Sequence, residues 1–165
     1  MSNKILLCVT MLSLLAITGC GNSASKKEIP AETVIPIVKD ATQKDIEKQL
    51  GNATSKETNA DSSISANNYE NSEFAGYNGQ LSFYYKEDGS VLYYKWFINE
   101  KDEDKAKEIY SDVCEALVGS YGDGEESNSE ASGLYTTSYT GEEQQITAQL
   151  QSGNDGYEIS YIVVE

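Results

Sequence analysis

The chain is 165 residues long, carries 27 acidic against 12 basic side chains for a formal net charge of −15, and contains no histidine. All twelve bases are lysine, so the usual general base and metal ligand is missing, and so is the bidentate guanidinium that reads phosphate or carboxylate. Twelve acids and no base lie between Glu108 and Glu165, a field that repels nucleic acid, whose binding rests on phosphate neutralisation.

Residues 1–19 are laid out as a signal peptide: Lys4 is their only charge, an apolar run extends from Ile5 to Ile17, and small residues follow. The run is shorter than the roughly 20 residues a membrane span needs. Ile17-Thr18-Gly19-Cys20 resembles the lipobox of bacterial lipoproteins. The resemblance implies that the Cys20 sulfur takes a diacylglyceryl group and that Cys20 becomes the mature N-terminus. The expected location is therefore the cell membrane, lipid-anchored on its extracytoplasmic side, because two acyl chains anchor stably where one does not. Cys8 leaves with the signal peptide, which leaves Cys114 alone and rules out an internal disulfide framework. Cys114 stands near the apolar stripe Ala106, Ile109, Val113 and Leu117 and between the acids Asp112 and Glu115. It reads as a buried small hydrophobe rather than a reactive thiol.

Residues 20–40 form the lipidated cysteine and a polar tether holding both prolines, Pro30 and Pro36. Its cluster Val34-Ile35-Pro36-Ile37-Val38 is apolar enough to pack on the domain, with an edge strand as one way of doing so. Residues 41–99 read as an α-βββ unit. "ATQKDIEKQLG" predicts a short helix with Thr42 as N-cap, Asp45 three positions on, and Gly51 as the stop. A polar loop, "NATSKETNADSSISANN", leads to three strands separated by the hairpin signals Asn78-Gly79 and Asp88-Gly89. Residues 100–165 repeat that order. An amphipathic helix ends at Gly122, "DGEESNSEASG" is a second polar loop, and three more strand-like runs follow, at a period of about 65 residues. The expected fold class is α+β: two tandem α-βββ units whose antiparallel sheet carries both helices on one face.

"ATQKDIEKQLGNAT", followed by a loop and a meander, resembles the small-domain pattern of BamE-type envelope lipoproteins and of the β-lactamase-inhibitor-protein family. "CEALVGSYGDG" repeats the motif loosely, and members of these families often have proline where Ala53 and Gly124 stand. The resemblance implies the fold and a habit of binding other proteins. It implies no catalytic residues and no cofactor.

The two hairpin signals place Leu81, Phe83, Tyr85, Leu92, Tyr94, Trp96 and Ile98 on one face of the first meander, with Phe74 opposite Phe83. The other face then carries Tyr77, Ser82, Tyr84, Val91, Tyr93, Lys95 and Phe97. Aromatics on a face that could have been Thr, Lys and Glu are what an interaction surface would show, and Tyr77, Tyr84, Tyr93, Lys95 and Phe97 are the candidate partner-binding residues. The same residues also suit plain cross-strand pairing on a wet sheet, or cover by residues 29–38. The functional expectation is a non-enzymatic protein-binding module whose acidic surface favours a cationic partner. The alternatives are a carboxylate-based hydrolase of envelope glycan, using a pair such as Asp123 and Glu125, and a calcium-responsive binder using "YGDGEESNSE" or "SGNDGYE".

Overall fold

The computed structural model describes residues 41–58, 64–129, 132–141 and 144–164. The expectations for the signal peptide, Cys20 and the tether lie outside the described residues. Helix α1 (Gln43–Leu50) begins where the Thr42 backbone N–H and hydroxyl both donate to the Asp45 carboxylate, at 3.0 and 2.6 Å. It ends at Gly51, whose positive φ of 87° suits glycine. Four strands follow: β1 (Ser55–Thr58), β2 (Ser65–Phe74), β3 (Tyr77–Tyr85) and β4 (Val91–Glu100). Helix α2 (Glu103–Tyr121) is capped by Asp102, which accepts the Lys105 N–H at 2.9 Å. Strands β5 (Glu125–Ser129), β6 (Leu134–Thr140), β7 (Gln145–Gly153) and β8 (Gly156–Val164) complete the chain.

The expectation of two tandem α-βββ units is overturned. The described strands form one eight-stranded sheet in the order β1-β2-β3-β4-β8-β7-β6-β5, antiparallel throughout, and the described residues are largely β with two helices. Two strands were hidden in the segments read as polar loops. Strands β1 ("SKET") and β5 ("EESNS") are exposed at every position, so no apolar alternation marks them. Backbone ladders pair them, Ser55 to Thr58 on β2 and Glu125 to Ser129 on β6, and a few polar side-chain bonds, such as Asn68 to Ser55 and Glu57, supplement them. Both are edge strands, and their polar composition blunts edge-to-edge association.

The register differs from expectation in two places. The β2–β3 turn is Ala75-Gly76, with φ of 50° and 81°, and Phe74 pairs with Tyr77 rather than Phe83. Asn78 and Gly79 lie inside β3, and an extra β2 residue is absorbed in a bulge between Tyr69 and Ser72, where Asn71 has φ 57°. Strand β4 pairs Leu81 with Trp96 and Phe83 with Tyr94, but Tyr85 with Val91 rather than Leu92. Val91 therefore turns into the core and Leu92 is only half-buried.

One face of the sheet carries both helices. From α2, Ala106, Ile109, Val113 and Leu117 are buried on it, and from α1, Ile46. The core beneath is aromatic: Trp96 stacks on Tyr161 (5.8 Å between centroids, 11° between planes), Phe74 lies 4.6 Å from Tyr161, and Phe83 lies 5.0 Å from Tyr94. The Trp96 indole N–H donates to the Ser72 carbonyl at 2.8 Å. Gly79 gives that indole its room, because a β-carbon there would sit 2.6 Å from the ring.

Candidate functional site

Neither described helix covers the opposite face of the sheet. Alternation on the observed register puts Ala66, Tyr84, Tyr93 and Val164 in one row across β2, β3, β4 and β8; Asn68, Ser82, Lys95 and Ile162 in the next; and Gln80, Phe97 and Ser160 in a third. Continued into β7 and β6, the rows become Gln145, Thr147 and Gln149, then Thr140, Ser138 and Thr136. The open face is thus aromatic and aliphatic over β3, β4 and β8 and hydroxylic or amidic over β6 and β7.

Four of the five residues expected to bind a partner share the apolar half. Tyr84 and Tyr93 are direct cross-strand partners with rings stacked at 4.4 Å and 18°. Both are half-buried, and loss of water around them pushes both phenols above their ordinary pKa. Lys95 places its ammonium 2.6 Å from Glu158 Oε1 and 5.0 Å from the centre of the Phe97 ring. Its side chain is only 20% exposed, so its charge is spent on Glu158 and the ring, and the centre of the patch is close to neutral. Beneath lies a polar floor. The buried Ser82 hydroxyl donates to Asn68 Oδ1 at 2.8 Å, and Asn68 donates to Glu57 Oε1 at 2.8 Å. The Ser160 hydroxyl, between Phe97 and Gln149, is buried and finds no hydrogen-bond partner among the described residues.

Tyr77 does not join them. The shifted turn leaves it in phase with Leu81 and Phe83, on the helix-bearing face, where its hydroxyl donates to Asp112 Oδ2 of α2 at 2.7 Å. That bond is the main reason its phenol is pushed up to about 12. Val91, expected on the open face, is buried in the core. Ile162 and Val164 also belong to the patch, brought beside Lys95 and Tyr93 by the pairing of β4 with β8. Val164 is 43% exposed.

The residues behind the alternative expectations do not converge. Glu125 stands opposite Ser138 on the open face, whereas Asp123 lines a cleft on the helix-bearing side with Glu126, Tyr110, Cys114 and Tyr139, of about 500 Å³. Gly124 between them has no room for the proline of the resembled families, since a β-carbon would lie 2.5 Å from Thr137. Cys114 is half-buried at this cleft rather than sealed in the core, and its carbonyl accepts the Tyr139 hydroxyl at 3.2 Å. "SGNDGYE" forms the β7–β8 turn and lines a polar hollow of about 340 Å³. Among the described residues no group of three or more acidic or cysteine side chains is placed to hold a metal ion. The carboxylates with perturbed acidity, Asp45, Glu47, Asp88, Glu100 and Glu103, are all held below the ordinary range. Their causes are hydrogen bonds, first from Thr42, Lys56, Ser90, Lys105 and Lys107 respectively. A hydrolase acid needs the opposite shift.

No protein-family model matches the chain, and no curated protein matches it. Among solved structures, the chain is similar to a DUF4309-family protein, YjgB, from Bacillus subtilis. The two share 12% identity at a TM-score of 0.47, over 83% of this chain and 86% of the other.

Proposed function

We propose that the protein is a lipid-anchored extracytoplasmic lipoprotein, tethered through Cys20, that binds another protein through the apolar half of its open sheet face, without catalysis and without a cofactor. The observation that carries this reading is the placement of the stacked Tyr84–Tyr93 pair beside Phe97, Ile162 and Val164 on a face neither described helix covers. Tyrosine and phenylalanine offer large contact areas at low entropic cost, and a rigid sheet presents them pre-organised. The neutral centre made by Lys95 and Glu158 leaves the contact itself apolar. The net charge of −15 acts at longer range, steering a cationic partner and making association salt-sensitive.

The test is capture from the envelope of cells that express the protein. Wild-type chain is compared with a Tyr84→Ala, Tyr93→Ala, Phe97→Ala variant whose circular dichroism matches wild type. A protein retained by wild type and lost by the folded variant supports the reading. Equal retention by both sinks it.

A further inference from the structure

Beyond the three rows described above, the register carries the open face on toward the β7–β8 turn. Asn99, Glu158 and Gln151 form the next row across β4, β8 and β7, two residues on from Phe97, Ser160 and Gln149. After them Gly153 pairs with Gly156, so the last row of that hairpin has no side chains. There the surface sinks into the hollow of about 340 Å³, whose lining includes both glycines with Asn99, Gln151, Asn154 and Glu158. Its volume lies at the small end of the range that holds small ligands, roughly 300–1,000 Å³.

The chemistry of the lining selects the ligand. Asn99, Gln151 and Asn154 are exposed, and among the described residues their side chains make no hydrogen bond to the protein. An amide both donates and accepts, as a hydroxyl does, so these three groups suit a ligand made of hydroxyls. The lining contains no lysine and the net charge is −15, which disfavours an anion. Glu158 is already paired with Lys95 at 2.6 Å, and among the described residues no three acidic or cysteine side chains are placed to hold a metal ion. An apolar ligand would strand the amides. Two aromatic rings flank the hollow. Tyr157 lines it, with its hydroxyl donating to Glu103 Oε2 at 3.1 Å, and Phe97 stands two residues from Asn99, about 7 Å along β4. One row in, the buried Ser160 hydroxyl adds a hydrogen-bonding group with no partner among the described residues.

We propose that the hollow and the adjoining row of Phe97, Ser160 and Gln149 bind a neutral saccharide. The amides of Asn99, Gln151 and Asn154 bond its hydroxyls, and the flanking aromatic rings cover its apolar ring faces. The site shares only Phe97 with the protein-binding patch. It lies apart from the Tyr84–Tyr93 stack and does not depend on the protein-binding reading.

The test is saturation-transfer difference NMR, which reads the ligand's own protons, on the full-length chain purified in a detergent without a sugar headgroup. The probes are cellotriose and tri-N-acetylchitotriose, both neutral, with trigalacturonate as an anionic counterpart. At least one neutral probe is expected to give a saturable signal, and trigalacturonate none. In an Asn99→Ala, Gln151→Ala chain whose circular dichroism matches wild type, affinity for that probe falls about ten-fold or more, as two hydrogen bonds to the ligand are lost. In a Tyr84→Ala, Tyr93→Ala chain it is unchanged. Absence of a signal from both neutral probes overturns the site. So does an affinity that survives the Asn99→Ala, Gln151→Ala change, or a signal of equal strength from trigalacturonate. If the double variant fails to fold, Gln151→Ala alone, at an exposed position of β7, carries the same readout.

Discussion

Gly79 distinguishes the observed register from the one the sequence suggests, and Gly79→Ala measures the difference. In an Asn-Gly hairpin turn the glycine would be needed for its positive φ. In the structure it is needed for space: a β-carbon at Gly79 would stand 2.6 Å from the Phe97 carbonyl oxygen and 2.6–2.7 Å from two ring carbons of Trp96. Neither neighbour yields cheaply, because one is the backbone of the paired strand. The other is a buried indole fixed by its bond to Ser72 and by stacking on Tyr161. Overpacking of this kind costs about 1–3 kcal/mol, and loosening the indole hydrogen bond adds about 1 kcal/mol, so the expected loss is about 2–4 kcal/mol. Gly76 is the control. It has open space around it and a φ of 81°, and Gly76→Ala is expected to cost about 1 kcal/mol through backbone conformation alone. Urea unfolding followed by the fluorescence of Trp96, the chain's one tryptophan, reports both stability and the indole's surroundings. A Gly79→Ala loss no larger than that of Gly76→Ala would refute the register and the tryptophan seat together.

Tyr77→Phe deletes the bond to Asp112 that ties the β2–β3 hairpin to α2, and is expected to cost about 1 kcal/mol at neutral pH by thermal unfolding. Because the Tyr77 phenol is raised to about 12 from an ordinary value of about 10, its contribution is complete below pH 10. It is lost as pH rises through 12, so wild type and Tyr77→Phe should converge at the alkaline end. Glu47 and Glu100 are each held down to about 2, chiefly by hydrogen bonds from Lys56 and Lys105. Their contribution is complete above the usual glutamate range and lost as pH falls toward 2. An acid melt of Glu47→Gln should be flatter than that of wild type. Asp102→Ala removes the cap on the Lys105 N–H and should lower stability by about 1 kcal/mol, read by chemical unfolding.

The sequence exposes those elements whose local physics is self-sufficient. Helix α1 announces itself through Thr42, Asp45 and Gly51, and α2 through the spacing of Ala106, Ile109, Val113 and Leu117. The outward phase of Tyr84, Tyr93, Lys95 and Phe97 follows from alternation over β3 and β4. What depends on backbone pairing rather than apolar burial stays hidden. Strands β1 and β5 bury no side chain, so nothing separates "SKET" and "EESNS" from the loops around them. The Ala75-Gly76 turn is masked by the stronger-looking Asn78-Gly79, and the bulge at Asn71 that shifts the phase has no composition of its own. That shift puts Tyr77 on the helix-bearing face rather than the open one. Ile162 and Val164 join the patch only because β4 pairs with β8, a contact between residues some 60–70 positions apart in the chain that no local pattern encodes.

On the proposed reading, the apolar half of the open face holds the partner. The most direct measurement is the dissociation constant of the captured protein for three chains: wild type, the Tyr84→Ala, Tyr93→Ala, Phe97→Ala variant, and a Thr136→Ala, Thr147→Ala, Gln149→Ala variant of the polar half. The aromatic variant is expected to bind at least about 100-fold more weakly, since buried aromatic anchors contribute about 2 kcal/mol or more each, while the polar variant stays within about three-fold of wild type. Equal affinities for the aromatic variant and wild type would contradict it.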